Sequence, residues 1–476
     1  MAIDPNEDEL AFIFANFFRN AKYEDLSAKH TEKIKQQVVD FLGVAMGGYD
    51  YPGPKQIREF NLRNGGAEEA IVWGSGAKLP VSYAAQANAT AGHALDFDDV
   101  HDLVMHPGVI SVSTSLALAD YMGGMTGKQL MLNVALGAEM LLRMNRGSEP
   151  GIPIPDQGWH TTTLNGNLTA ANLAANTLGL TFDQQVNAIG IGLHQASGTG
   201  QPTKDGGCAK RIGPGFAVRN GIQSAQLAQM GVTAGYHAFD GKEGYINQYH
   251  RGDFSRELAL EKLGDFWFAE GVLCKPYPCC RGTHNFVDCG IFLHDNYNID
   301  PKEIERIDIK SGKGTLNLLG LPLETKAHPR NPVDVQFSSS WGAVCGLVYG
   351  RASLVEYADS ETGIWNPLLR EVADKVKTFE YDSRCDPRDI KKSPYEGAIV
   401  KVTMNDGTVY EKYFPEAMGS EEMPQTYDDV IKKFRGNVDY AGKNRPSEEN
   451  VDKIIEICSE LDKCEDVRIL NELMVW

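Results

Sequence analysis

The chain has 476 residues, with 46 Lys+Arg against 64 Asp+Glu and a formal charge of −18. At roughly 150 residues per domain that is about three domains' worth of chain, and 42% hydrophobic with 23% charged residues is a globular composition able to bury a large core. The acidic balance argues against a protein built to grip phosphate backbones; at this coarse level it also counts against a polyanionic ligand.

In chain order, residues 8–20 set Leu10, Ile13, Phe14, Phe17 and Phe18 at helical spacing. Residues 31–46 repeat the pattern with Ile34, Val38, Phe41, Leu42 and Ala45, and Gly47-Gly48 is a natural stop. Alanine is dense over 81–95 and again over 169–178, as in helices at a tightly packed centre. The segments 112–122, 128–143, 183–197 and 216–231 also read as helices, punctuated by Gly and Pro clusters near 123–127, 147–158 and 198–215. Up to about residue 272 the chain reads as mostly α.

The character changes after Pro276. Residues 303–311 and 398–404 alternate polar and apolar, and so do 408–414 across the Asn405-Asp406-Gly407 turn, which predicts strands and a hairpin. Between them 334–357 and 365–377 read as helices, and helix returns over 426–434 and 447–461. The expected fold is α+β. A large all-helical domain takes residues 1–273, a smaller α/β lid takes 274–414, and 415–476 rejoins the helical domain. The nine cysteines are odd in number, no secretory segment precedes them, and the start is acidic. No apolar run approaches 18 residues. The expectation is a cytoplasmic protein with free thiols, no membrane span and no nucleic-acid partner.

Familiar cofactor signatures fail. Gly198-Thr199-Gly200 and Gly312-Lys313-Gly314 lack the third glycine of a dinucleotide site, and no complete Walker loop, His-Glu-x-x-His or Gly-x-Ser-x-Gly occurs. The adjacent Cys279-Cys280 pair cannot readily give the bite of a zinc site and reads as packing. No cofactor and no metal is expected.

Four segments combine ionisable residues with Gly or Pro. The first runs from His93 through Asp96, Asp98, Asp99, His101 and Asp102 to His106-Pro107-Gly108. Such acidic loops with histidines can hold metals; single aspartates there equally cap the next helix. The second is Gly158-Trp159-His160-Thr161-Thr162-Thr163, opening an Ala-rich helix, where a histidine can meet an anion and stay neutral. The third, Lys204 to Gly221, sets Lys210, Arg211 and Arg219 among five glycines and reads as a loop wrapping an anionic ligand. The fourth, Lys275-Pro-Tyr277-Pro-Cys279-Cys280-Arg281-Gly-Thr-His284, falls at the expected domain boundary, where ligand clefts often lie. Together they suit one chemistry: cations hold carboxylates while histidines exchange a proton with carbon or its leaving group.

At these segments the sequence resembles the MmgE/PrpD family. The resemblance runs from the Asp96-Phe-Asp98-Asp99…His106-Pro107 loop, through Gly158-Trp159-His160, Lys210…Asn220-Gly221 and Lys275-Pro-Tyr-Pro…His284, to Asn331-Pro-Val-Asp-Val-Gln-Phe337-Ser338. It implies a homodimeric, cofactor-independent enzyme acting on a small di- or tricarboxylic acid by proton transfer at carbon next to a carboxylate. The family's activities include 2-methylcitrate dehydratase, cis-aconitate decarboxylase and iminodisuccinate epimerase. Carried over by motif, the catalytic candidates are Asp96 as orienter, His106 and His160 as proton donor and acceptor in unassigned order, and Lys210 and Lys275 as carboxylate holders. Arg211, Thr162, Cys280, His284 and Tyr277 join them as candidate substrate-binding residues. The Gly-Trp-His-Thr arrangement sets the chain apart from the methylcitrate dehydratase branch. Thr161 stands where a proline commonly follows the histidine, and Cys280 where some animal decarboxylases carry another histidine. The leading expectation is therefore a lyase, decarboxylase-like or dehydratase-like. An epimerase of an iminodicarboxylate and a non-catalytic carboxylate-binding protein are the alternatives.

The resemblance also revises the reading of the net charge. Lys204, Lys210, Arg211, Arg219, Lys275 and Arg281 fall in two short segments that it brings to one pocket. Because salt screens exposed charges beyond about 8 Å, local charge in a cleft outweighs the distant surface.

Overall fold

The computed structural model describes residues 4–103, 105–148, 158–386 and 396–476. Nine helices of eight or more residues occupy the first part among the described residues: α1 (Leu10–Asn20), α2 (Ala28–Gly48), α3 (Pro54–Asn64), α4 (Val81–His93), α5 (Pro107–Met122), α6 (Gly127–Gly147), α7 (Thr161–Thr177), α8 (Phe182–His194) and α9 (Ala209–Gln229). Local chemistry starts several of them. Ser27 accepts from the His30 amide, Thr126 from Gln129, and Thr181 closes a capping box with Gln184. Leu10, Phe14 and Phe18 bury one face of α1. Of the 147–158 glycine-proline cluster, residues 149–157 lie outside the described residues.

The expected loop over 198–215 is a correction. Gln201–Asp205 is a short helix, and α9 begins at Ala209 and runs straight through Gly213-Pro214-Gly215. The glycines serve close helix contact instead of a turn. A Cβ on Gly215 would meet Thr90 Oγ1 of α4 at 2.3 Å, and one on Gly221 would meet Ala170 Cβ of α7 at 2.3 Å. Small residues on α4, α7 and α9 thus let three backbones approach, and this fixes where Lys210 sits. Pro214 lacks the amide that would bond the Lys210 carbonyl one turn earlier.

The second part carries β1 (Ile304–Ser311), β2 (Val376–Tyr381), β3 (Ala398–Met404) and β4 (Val409–Phe414), with α10 (His284–Asn296) and α11 (Ser339–Tyr349). The sheet order is β2-β1-β3-β4. β1 and β2 are parallel, with Ile309 opposite Phe379; β3 runs antiparallel to β1, with Ile309 opposite Val400. The expected hairpin joins β3 to β4, pairing Ala398 with Phe414, and Gly407 supplies its positive φ of 86°. Ile307, Ile309, Val400 and Val402 bury against Phe286, Val287, Val344 and Leu347 of α10 and α11.

Two helix expectations here need correction. The 334–357 stretch splits at Phe337 because Ser338 caps a new helix by accepting the Trp341 amide, and α11 ends at Gly350. In 365–377 only Pro367–Ala373 is helical, and Val376 opens β2. A parallel partner far along the chain decides that strand.

After residue 415 come α12 (Tyr427–Ala441) and α13 (Glu448–Ser459). Phe434 of α12 lies so close to α2 that a Cβ on Gly43 would meet its ring at 2.6 Å. One apolar core draws on residues from Leu10 to Cys274 and takes in Val430, Phe434, Val438 and Ile454; a second draws on Tyr277 to Met404. The fold is α+β. Among the described residues no helix is long and apolar enough to cross a membrane.

Candidate active site

The site starts where α4 ends. Three residues past His93 the backbone turns left-handed at Asp96, with φ of 51°, a conformation that aspartate tolerates better than most residues. Both of its acceptors then face Lys275, whose Nζ lies 2.9 Å from Asp96 Oδ2 and 2.9 Å from its carbonyl oxygen. The ammonium of Lys210, brought by α9, bonds the other carboxylate oxygen. Lys210 Nζ also stands 3.1 Å from Nε2 of His93. The remaining aspartates of the loop divide the work. Asp98 Oδ2 takes His93 Nδ1 at 2.8 Å, Asp99 caps α5 by accepting the Gly108 amide at 2.9 Å, and Asp102 pairs with Arg281 Nε at 3.4 Å.

Two further histidines enter at helix starts. His106 is the residue before α5; its Nδ1 faces Asp98 Oδ1 at 3.4 Å and its Nε2 is 3.9 Å from Asp96 Oδ1. His160 holds the same position before α7. The hydroxyl run behind it holds the His106 backbone and the His160 ring: Thr162 Oγ1 accepts the His106 backbone amide at 3.2 Å, and Thr163 Oγ1 lies 2.7 Å from His160 Nδ1. The His93 ring lies 4.7 Å from that of His106 and 6.1 Å from that of His160, centre to centre.

These groups open on a cavity of about 460 Å³. Asp96, His106, His160, Lys210, Lys275 and Cys280 line it, joined by Lys204, Arg281, Trp159, Leu318 and Phe337. The other expected binding residues stand behind its wall. Thr162 holds His106; Arg211 stacks 4.8 Å from the Tyr51 ring and reaches Gln336 at 3.4 Å; Tyr277 donates to Asp288 at 2.6 Å; His284 Nε2 lies 3.3 Å from the Cys279 carbonyl. Each contacts the scaffold, while Arg211 Nε and His284 Nδ1 have no hydrogen-bond partner among the described residues. Lys204 and Arg281 lay within the cationic segments of the sequence, whereas Trp159 and Phe337 were signalled only as motif neighbours.

Burial and charge set the protonation states. Burial pushes the Asp96 carboxyl up, but the ammoniums of Lys210 and Lys275 outweigh it and hold the group well below the usual carboxylate range. For Lys275 burial works downward, and Asp96 then Asp98 prevail to raise it. Burial carries His93 down to about 4, against the pull of Asp98. It also lowers His106, and lowers His160 well below its usual range with Lys210 adding to the effect. Burial and the Asp96 charge raise the Cys280 thiol, so that it is no thiolate nucleophile. At neutral pH the cavity holds neutral imidazoles, two ammoniums around one carboxylate, and the further cation Lys204, which has no carboxylate partner among the described residues. The wall is locally cationic in a chain of charge −18.

His93, Asp98 and His106 are the grouping, among the described residues, that offers three metal-ligand atoms within 4.8 Å of one another. His93 Nδ1 and Asp98 Oδ2 already bond each other, and the Lys210 ammonium on the far side of the His93 ring opposes a dication there. The set fits a hydrogen-bonded network better than an ion.

A helical body and a small α/β unit both line this cationic cavity with its paired histidines. Residues 13–257 match the MmgE/PrpD N-terminal domain and residues 277–461 the MmgE/PrpD C-terminal domain. The chain belongs to the MmgE/PrpD family. It is similar to the cis-aconitate decarboxylase of Aspergillus terreus (strain NIH 2624 / FGSC A1156), 24% identical over 96% of this chain and 94% of the relative. The cis-aconitate decarboxylases of Mus musculus and Homo sapiens are each 23% identical over 97% of this chain, covering 92% and 93% of their own lengths.

Proposed function

We propose that the protein is a cofactor-independent lyase that removes CO2, or water, from a small di- or tricarboxylic acid, with cis-aconitate the first candidate. The observation that carries this reading is the meeting of Lys210 and Lys275 on Asp96 beside His106 and His160 in one cavity. The full-length likeness to cis-aconitate decarboxylases supports decarboxylation over dehydration.

In this reading Lys210 and Lys275 hold substrate carboxylates, Asp96 keeps the two ammoniums apart and aimed, and Lys204 meets a further carboxylate at the cavity wall. Burial keeps the imidazoles neutral and the ammoniums of Lys210 and Lys275 add to it; substrate carboxylates offset that added positive field. His106, with Asp98 behind its Nδ1, is the histidine best placed to take up a proton as that field falls. In the reaction the carbon–carbon bond to one carboxylate breaks and CO2 leaves. The electron pair passes into the neighbouring unsaturated carboxylate system, and the proton from His106 closes on carbon. His160, which lacks a carboxylate behind it and bonds a hydroxyl instead, stays neutral as a hydrogen-bond partner of the substrate. General acid catalysis supplies about 10²–10⁴-fold; fixed cations and orientation supply the rest. The proposal includes assembly as a homodimer and a cytoplasmic location, both carried by the family resemblance, and light scattering of the purified protein tests the first.

The test is 1H NMR in D2O with a panel of di- and tricarboxylates that includes cis-aconitate. The expected result is loss of CO2 with one deuterium fixed at carbon; loss of water, which fixes none, would mark a dehydratase. Deuterium exchange into recovered substrate with neither loss would favour an epimerase. Ligand-induced thermal stabilisation without turnover of any acid would leave a binding protein.

A further inference from the structure

His93 closes an alanine-rich helix, is fully buried and is not part of the cavity wall. Its two ring nitrogens nevertheless join two groups that the reaction needs. An ammonium can only donate, so Nε2, 3.1 Å from Lys210 Nζ, must be the accepting nitrogen. The ring proton then sits on Nδ1 and is donated to Asp98 Oδ2 at 2.8 Å. The other oxygen of Asp98 faces His106 Nδ1 at 3.4 Å. The two atoms are not aligned for a hydrogen bond, but the nearer carboxylate charge favours the His106 proton on Nδ1 over Nε2, which stands 3.9 Å from Asp96 on the cavity side. The order is Lys210, His93, Asp98, His106: two hydrogen bonds of fixed polarity, then a carboxylate–imidazole charge contact.

We propose that His93 is a positioning residue that couples the carboxylate-holding Lys210 to the proton-transferring His106, by fixing Asp98 in the orientation that presents His106 with its Nε2 toward the substrate. The coupling has two separable ends. The amide of asparagine reaches as far as imidazole Nδ1, so His93→Asn keeps a donor for Asp98 and gives up the acceptor for Lys210. Glutamine reaches as far as Nε2, so His93→Gln keeps an acceptor for Lys210 and gives up the donor for Asp98. A residue that only filled space would not distinguish them.

The kinetic arm of the test rests on the lyase reading; the spectroscopic arm does not. With cis-aconitate as probe, His93→Asn is expected to raise KM about 10-fold with kcat within about 3-fold, the effect of a lost hydrogen bond to a charged group. His93→Gln is expected to lower kcat about 10–10²-fold with KM little changed. Histidine-selective 15N NMR of the wild-type protein is expected to show His93 and His106 as Nδ1–H tautomers, with His106 keeping that form in His93→Asn and becoming mixed in His93→Gln. Equal losses of kcat and KM in both variants, or an Nε2–H tautomer at His93 in the wild type, would overturn the inference. Absence of turnover in the wild type speaks against the lyase reading, while the tautomers still decide for or against His93. Should either variant fail to fold, the wild-type tautomers decide alone.

Discussion

Lys275 Nζ lies 2.9 Å from both the carboxylate and the carbonyl oxygen of Asp96, so one left-handed turn after α4 anchors the residue at which the chain passes from the first core to the second. Together with Lys210 the arrangement is a buried carboxylate between two buried ammoniums. Such a cluster adds little net stability, yet it is costly to break, because the remaining charges stay buried.

Removing the carboxylate therefore tests the cluster. Asp96→Ala leaves two ammoniums facing each other and is expected to cost about 3–5 kcal/mol. Urea unfolding followed by circular dichroism measures it; a variant within about 1 kcal/mol of the wild type would show that Asp96 does not bind the pair together.

A subtler change probes the histidines. Thr163→Val removes the hydroxyl 2.7 Å from His160 Nδ1 while keeping the β-branched shape. One lost neutral hydrogen bond of about 1 kcal/mol predicts a kcat reduced about 5-fold with a nearly unchanged melting temperature. An unchanged kcat would remove Thr163 from the support of His160.

The glycines of α9 give a test of packing. A Cβ at Gly215 would come 2.3 Å from Thr90 Oγ1 and 3.0 Å from the Gln86 carbonyl. Gly215→Ala is expected to destabilise the protein by about 1–3 kcal/mol, the usual penalty of overpacking. Because α9 carries Lys210, KM for a carboxylate substrate should rise with it. A neutral effect on both would mean that α4 and α9 have room to separate.

The same glycines show why part of the fold was hidden from the sequence. Helices α1 and α2 announced themselves through apolar spacing, and the β3–β4 hairpin through Asn405-Asp406-Gly407. Gly213, Pro214 and Gly215 look locally like a loop, and only their contacts with Thr90 and Thr163 give them a reason to be helical. Strand β2 depends on a parallel partner more than sixty residues away, which no local pattern records. Within the site, Asp96, His106, His160, Lys210 and Lys275 stood out as ionisable groups beside Gly or Pro. His93 opened the first of the four ionisable segments but drew no role of its own, because its partner Lys210 is 117 residues further on.

Acid sensitivity offers a separate check on buried histidines. His30 is buried beside Trp267, and neither ring nitrogen has a hydrogen-bond partner among the described residues. Burial lowers it to about 4 from an ordinary 6.5. Below pH 6.5 the unfolded chain binds a proton there that the folded chain refuses, so its contribution to stability is lost as pH falls from 6.5 toward 4. His30→Phe removes that term. Its stability relative to the wild type should be level above pH 7 and should gain progressively on acidification, by at most about 3 kcal/mol at pH 4. A difference independent of pH would contradict a buried neutral His30.

The most direct measurement is release of CO2 from cis-aconitate in D2O by the wild-type protein and by folded His106→Asn. The expected result is one CO2 released and one deuterium fixed at carbon per turnover in the wild type, with the rate about 10²–10⁴-fold lower in the variant. No CO2 from the wild type, or equal rates from the two proteins, would contradict a cavity in which Lys210 and Lys275 hold carboxylates while His106 moves the proton.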